Sequence, residues 1–225
     1  MFGSRVGSRF MVISAAAVAV AGIGPAVTAS ASQAASNPCP SCGHNLIVNP
    51  GAETGKGANG DIKVKTPGWK QTKNFTETLY TWSGGDVSPT TTGPKKRGKN
   101  YFYGGPDSAK ATGTQLIKVL AKGIGSGKVH YALSGWLGGF ATQSDNATLT
   151  VTFENGSGKT VGTTKIGPVT EAQRKGNSEM LLRKTSGVVP SSTRTVKLVL
   201  IMKRTDGSDN DGLADNLSLV FTLKK

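Results

Sequence analysis

The sequence predicts an all-β fold, two antiparallel sheets packed face to face, and three observations carry that expectation. Short apolar alternations recur along the chain with turn signals between them. Glycine reaches 31 of 225 residues, with 10 prolines and no strict Gly-X-Y period, so the chain turns often. No segment sustains a 3.6-residue apolar period, and weak helical propensity is confined to Thr170–Gly176 and part of the segment after it. A charged fraction of 18% excludes a coiled coil or long helical array, while 36% hydrophobic residues can fill a core.

Along the chain, residues 1–31 read as a secretory signal peptide. Arg5 and Arg9 precede an uncharged run from Phe10 to Val27, and Ala29-Ser30-Ala31 supplies a small-x-small cleavage site. A membrane span is the alternative, but Gly22, Gly24 and Pro25 interrupt the run and no basic cluster follows it. No later segment is apolar for long enough to cross a bilayer. Residues 32–42 read as a flexible leader carrying a CxxC, and 43–225 as one sandwich domain. Strands are expected near 45–49, 62–65, 76–82, 100–104, 114–120, 129–138, 147–154, 160–167, 178–185, 194–203 and 215–223. The clearest is Ala147–Phe153, whose period of two puts Leu149, Val151 and Phe153 on one face; Asn155-Gly156 then marks a hairpin turn. Val196–Met202 is apolar enough for a central strand. The irregular run Gly84–Gly98 is long enough to be a binding loop.

The formal charge is +14, and removal of residues 1–31 leaves 25 basic against 13 acidic residues, or +12. Such a charge favours anionic partners, among them teichoic or nucleic acids, acidic polysaccharides and membrane surfaces, without choosing between them. Cys39 and Cys42 fit a short disulfide loop in an exported chain. A thioredoxin-like role needs a strand before the motif and a helix after it. Zinc needs a fourth ligand beyond Cys39, Cys42 and His44, and only His130 is left to supply it. The export signal and the sparse cysteines point to a secreted, extracellular protein of bacterial type.

Three motifs sharpen the fold. Asn45–Glu53 (NLIVNPGAE) with Pro67-Gly68-Trp69, the middle Gly113-Thr114-Gln115, and the closing Asp211–Leu219 (DGLADNLSL) lie in order across residues 45–220. Together they resemble secreted carbohydrate-binding modules of the galactose-binding-like superfamily, which implies a jelly-roll β-sandwich. The resemblance also implies a structural calcium tying the N-terminal loop to the last strand, with Glu53 and Asp215 as carboxylates and a backbone carbonyl near Asn49. Calcium takes six to eight oxygens and mixes carboxylates with carbonyls, so the set is chemically reasonable. The plainer alternative makes Glu53 a turn residue and Asp215 an acceptor of backbone hydrogen bonds. The acidic run Asp206–Gly212 lacks the closure of an EF-hand and reads as a hydrophilic hairpin loop, although Asp209 or Asp211 could lend an oxygen.

A glycan partner requires exposed aromatic planes with short polar side chains beside them. The candidates are Trp82, Tyr101, Tyr103, Tyr131 and Trp136, with Asn100, Gln143, Asp145 and Asn146 as polar partners, while Trp69 is expected in the core. Each of these rings also has a core reading, since sandwich aromatics mostly pack between sheets. Tyr101 and Tyr103 share a strand face and Phe102 points the other way. Lys95–Tyr101 would suit a nucleic acid, with basic residues on phosphates and rings on bases, but the remaining basic residues are scattered as on a solvated face. Catalysis has little support: His44 and His130 sit in no Ser-His-Asp pattern, and no phosphate-binding loop is present. The expectation is therefore a non-catalytic module for a polysaccharide or cell-wall glycan, with an anionic polymer suiting its charge, and with no specific nucleic acid. A protein-interaction or inhibitory module with an extracellular protein partner is the alternative.

Overall fold

The computed structural model describes residues 37–225, so the expected signal peptide and residues 32–36 lie outside the described residues. Ten strands follow in chain order: β1 (Lys70–Thr72), β2 (Thr76–Leu79), β3 (Asn100–Gly105), β4 (Lys110–Lys118), β5 (Val129–Gly139), β6 (Asn146–Glu154), β7 (Thr160–Ile166), β8 (Glu179–Val188), β9 (Thr195–Lys203) and β10 (Asn210–Leu223). They form two five-stranded sheets, β1-β4-β9-β6-β7 and β2-β3-β10-β5-β8, in which every neighbouring pair is antiparallel. This is the expected jelly-roll-like sandwich.

The alternation read from the sequence is what fills its centre. Leu149, Val151 and Phe153 of β6 and Val196, Leu198, Leu200 and Met202 of β9 point inward, opposite Leu217, Leu219 and Phe221 of β10. Each such side chain contributes about 1.5–3 kcal/mol on removal from water. Trp69, Phe75 and Phe102 close one side of this core, with ring centroids 5.3–6.2 Å apart. Gly113 in β4 faces them: a Cβ there would lie 2.6 Å from Phe75 and 3.0 Å from Trp69.

Several expected boundaries move. Residues 45–49 form no strand and contribute one bridge, Asn45 to Val220. Residues 62–65 are not a strand either, because the Val64 backbone is satisfied by side chains, its N–H by Thr76 Oγ1 and its carbonyl by Gln71. β1 is short and polar and gives no apolar alternation to detect. The weak helical propensity of Thr170–Gly176 is realised as one turn of helix, Glu171–Arg174, opened by a capping box between Thr170 and Gln173.

The CxxC segment is not part of a flexible leader. Cys39 and Cys42 are disulfide-bonded, Cys39 is buried in the main core, and Gly43 donates its N–H to the Phe221 carbonyl. Leu120 N–H donates to Ser41 Oγ, which fixes the loop against the β4–β5 connection.

A second, smaller core lies on the outer face of the β2-β3-β10-β5-β8 sheet. Tyr101, Tyr103, Met180 and Leu213 project from that face, and Tyr80 and Val87 from the segment after β2 cover them. Arg97 holds the covering loop: its guanidinium donates to the Pro94, Ser88 and Thr91 carbonyls and lies 5.1 Å from the Tyr80 ring centroid. The long irregular run is thus a braced cover over the sheet.

Candidate binding pocket

At one end of the sandwich β3, β5 and β9 finish while β4, β6 and β10 begin. Their register brings Gly105 beside Asn210, Gly138 beside Leu213, and Lys203 beside both Lys110 and Asn146. The loops that leave this end surround a pocket of about 380 Å³, toward the small end of the range for small-molecule sites. Trp82, Tyr103 and Phe140 give it aromatic surface, and Asp61, Asp86, Asp209 and Asp211 give it charge.

Two buried residues set the position of these groups. Asp145, fully buried, accepts from Thr205 N (2.6 Å), Thr205 Oγ1 (3.1 Å) and Asp206 N (3.0 Å) through Oδ1, and from Asp211 N (2.9 Å) through Oδ2. It therefore holds the β9–β10 loop that carries Asp209 and the start of β10 that carries Asp211. Arg174, also fully buried, donates to the carbonyls of Ala141 (2.8 Å), Gln143 (2.7 Å), Phe140 (3.5 Å) and Asn177. Those bonds fix the β5–β6 loop that brings Phe140 and Gln143 to the pocket.

The carboxylates crowd one another. Burial first, and then Asp211, Asp209, Asp61 and Asp145, push the Asp86 carboxyl up to about 8. Asp211 is raised to about 6 by burial and Asp145, with a hydrogen bond from Tyr103 opposing the shift. Asp61 is raised by burial, then by Asp209 and Asp107. Burial and the same acids raise the Tyr101 and Tyr103 phenols. Asp61 Oδ1, Asp86 Oδ2, Gln143 Oε1 and Tyr101 Oη are buried atoms with no hydrogen-bond partner. Such groups are costly to leave unmet, and they gather around this pocket.

The aromatics expected at the ligand surface separate into three groups. Trp82, half-buried, and Tyr103 line the pocket. Tyr101 is fully buried under the 80–99 cover, so it offers no open plane; its hydroxyl lies beside Asp86. Trp136 is half-buried against the smaller core, and Tyr131 turns inward onto Phe153, 5.4 Å between centroids. Asn100 is buried, its amide donating to the Ala52 and Gly55 carbonyls, and is corrected to a structural residue. Because Tyr101 is covered, the Lys95–Tyr101 stretch has no ring for a base to stack on. Asp61, Asp86 and Phe140 were not among the expected residues.

The expected calcium ligands are already engaged. Glu53 Oε1 accepts from Lys99 N and Asn100 N, and Asp215 accepts from Tyr80 Oη (2.9 Å) and Asn216 N (2.6 Å). The Asn49 carbonyl accepts from the Trp69 indole, and Asn49 Oδ1 accepts from Thr54 N. Among the described residues no three His, Cys, Asp or Glu side chains gather closely enough to hold a metal ion. The unmet buried oxygens in this neighbourhood are Glu77 Oε2 and Asn100 Oδ1. Glu77 is fully buried and raised chiefly by that burial, with Glu53 adding to the shift.

A larger depression of about 830 Å³ lies against the β1-β4-β9-β6-β7 sheet, lined by Val48, Trp69, Leu116 and Ile117 with Lys70 and Lys197. Gln115, at its base, exchanges hydrogen bonds with the Val48 backbone (3.1 and 2.6 Å). It is mostly carbon-lined and contains no unmet polar atom among those identified above.

No protein-family model and no curated protein matches the chain. Solved structures match it in fold. A cyclase from Fischerella sp. TAU, in complex with 4-(1H-indol-3-yl)butan-2-one, superposes with TM-score 0.55 at 13% identity over 82% of this chain and 100% of its own. A family 16 carbohydrate-binding module gives 0.46 at 19% identity over 78% and 99%. The enzymatically active domain of bacteriophage CBA120 tailspike protein 4 gives 0.49 at 15% over 79% of this chain, which spans only 21% of the tailspike chain. The chain is an all-β, two-sheet antiparallel sandwich, a fold it shares with the Fischerella cyclase.

Proposed function

We propose that the protein is a secreted, non-catalytic carbohydrate-binding module whose ligand enters the pocket between Trp82 and the carboxylates. The observation that carries this reading is the pairing of aromatic surface with unmet buried oxygens in one pocket. Rings offer contact area to the apolar face of a sugar, and carboxylates and amides orient its hydroxyls. The positive charge of the rest of the chain suits an anionic wall polymer or polysaccharide as the carrier of that sugar. A structural calcium on Glu77, Asn100 and Glu53 would tie the N-terminal loop to β2 and β3, supplying charge neutralisation at the buried Glu77.

The test is retention on a panel of glycans and purified wall polymers, at low and high salt, for the protein and for Trp82→Ala. Salt-resistant retention that Trp82→Ala abolishes supports the reading. Retention indifferent to Trp82, or release of reducing ends by the protein, overturns it. The alternative of a protein-interaction module rests on the other depression, where Val48 and Leu116 are 58% and 65% exposed. Capture of an exported protein, lost on Leu116→Lys and unaffected by Trp82→Ala, would favour that alternative.

A further inference from the structure

Charge is distributed unevenly over this molecule. The chain carries 27 basic and 13 acidic residues, yet the lining of the end pocket contains four aspartates and no lysine or arginine. Carboxylates so placed repel one another and lose hydration together, which is unfavourable unless protons or another cation sit among them. The strain is not relieved from within. Asp61 Oδ1, Asp86 Oδ2 and Gln143 Oε1 in the same wall have no hydrogen-bond partner. Beneath them the Tyr101 phenol, fully buried, is raised by that burial and by Asp86 and Asp211.

The unmet atoms of the lining are all acceptors, so the complementary ligand group is a donor with positive charge. A bare metal ion does not suit it, because among the described residues no three carboxylates converge on one point. An organic ammonium does: its three N–H bonds diverge toward separate acceptors, and its carbon frame fills space that an ion would leave empty. Trp82, Tyr103 and Phe140 provide ring surface, which attracts cations through the face of each ring. We infer that the pocket takes a saccharide unit bearing a free, protonated amine, and discriminates against the same unit when the amine is acetylated. This rests on the pocket being the glycan site proposed above, and it adds the ligand's charge. Acetylation removes the charge and two of the three donors, leaving Asp86 and Asp61 without a counter-ion.

The probes are glucosamine tetramer, N-acetylglucosamine tetramer and Nα-acetyl-lysine amide. Each is titrated calorimetrically into the protein at about 150 mM salt, where charges more than about 8 Å from the pocket are screened. Glucosamine tetramer is expected to bind at least tenfold more tightly than its acetylated counterpart. Asp86→Asn and Asp61→Asn should each reduce that affinity at least tenfold and narrow the preference for the glucosamine tetramer over the acetylated one. Thermal melts establish that both variants are folded. Equal or tighter binding of the acetylated tetramer overturns the amine inference and leaves the glycan reading standing. Binding of the lysine derivative without the glucosamine tetramer assigns the ammonium to a protein side chain and overturns it as well. If neither tetramer binds, the amine inference fails, and the glycan reading then stands or falls on Trp82-dependent retention in the panel.

Discussion

Asp86→Asn tests the pocket's electrostatics without any ligand. In the folded protein the Asp86 carboxyl is raised from 3.8 to about 8, first by burial and then by the neighbouring aspartates. A group bound more tightly to its proton in the folded state contributes stability that is complete below the unfolded value and is lost as pH rises through the folded one. The window therefore runs from pH 4 to pH 8, and wild-type stability should fall across it. Each unit of displacement is worth about 1.4 kcal/mol, so four units set a ceiling of about 5–6 kcal/mol. Access of water through the pocket mouth lowers that, to a loss on the order of 2–4 kcal/mol for this carboxyl. Asparagine cannot ionise, so the variant should match wild type near pH 3.5 and exceed it by that amount near pH 8.5. Urea unfolding at half-unit pH intervals gives both curves. Equal slopes for variant and wild type, or a gain at pH 3.5 as large as at pH 8.5, would refute the account of Asp86 as a buried acid among acids.

Other expectations follow from the groups that shape the pocket and the core. Asp145→Ala removes an acceptor used by four donors and should destabilise the fold by about 3 kcal/mol or more, read as a lower urea midpoint. Arg174→Met frees the Phe140 and Gln143 carbonyls, so hydrogen exchange at residues 140–144 should quicken while β6 and β9 keep their protection. Leu200→Ala leaves a cavity between the sheets and should cost about 2–5 kcal/mol. If calcium binds at Glu77, chelation should lower Tm in the wild type and leave Glu77→Gln unchanged; a Tm insensitive to chelator in both would remove calcium from the account.

The fold was legible because its determinants are local. A period of two over Ala147–Phe153 and Val196–Met202, broken by Asn155-Gly156 and other turn residues, dictates strands whatever lies far away in the chain. The polar β1, at Lys70–Thr72, pairs with β4 through its backbone and one Thr72–Thr112 hydroxyl hydrogen bond, so no apolar alternation announces it. The pocket was only partly legible, because it is assembled from segments near residues 61, 82–86, 140–143 and 207–211. Asp61 and Asp86 are single acids in glycine-rich stretches with no local partner to mark them. The acidic run at 206–212 was visible, but its role depends on where Asp145 holds it. Tyr101 and Tyr103 were placed on the correct shared face. That face proved not to be solvent, because Arg97 folds the 80–99 segment over it. Glu77 escaped notice for a similar reason, since its burial beside Gly55 and Gly57 arises only when the N-terminal loop packs on β2.

The central claim is that ligand enters beside Trp82, and the indole N–H signals of the three tryptophans test it in one spectrum. Trp69 lies in the main core, Trp136 flanks the smaller one, and Trp82 lines the pocket. On titration with glucosamine tetramer, and then with any glycan retained on the panel, the Trp82 signal should move with saturating dependence on concentration while Trp69 stays fixed. A bound glycan that shifts Trp136 or Trp69 and leaves Trp82 in place would contradict the account.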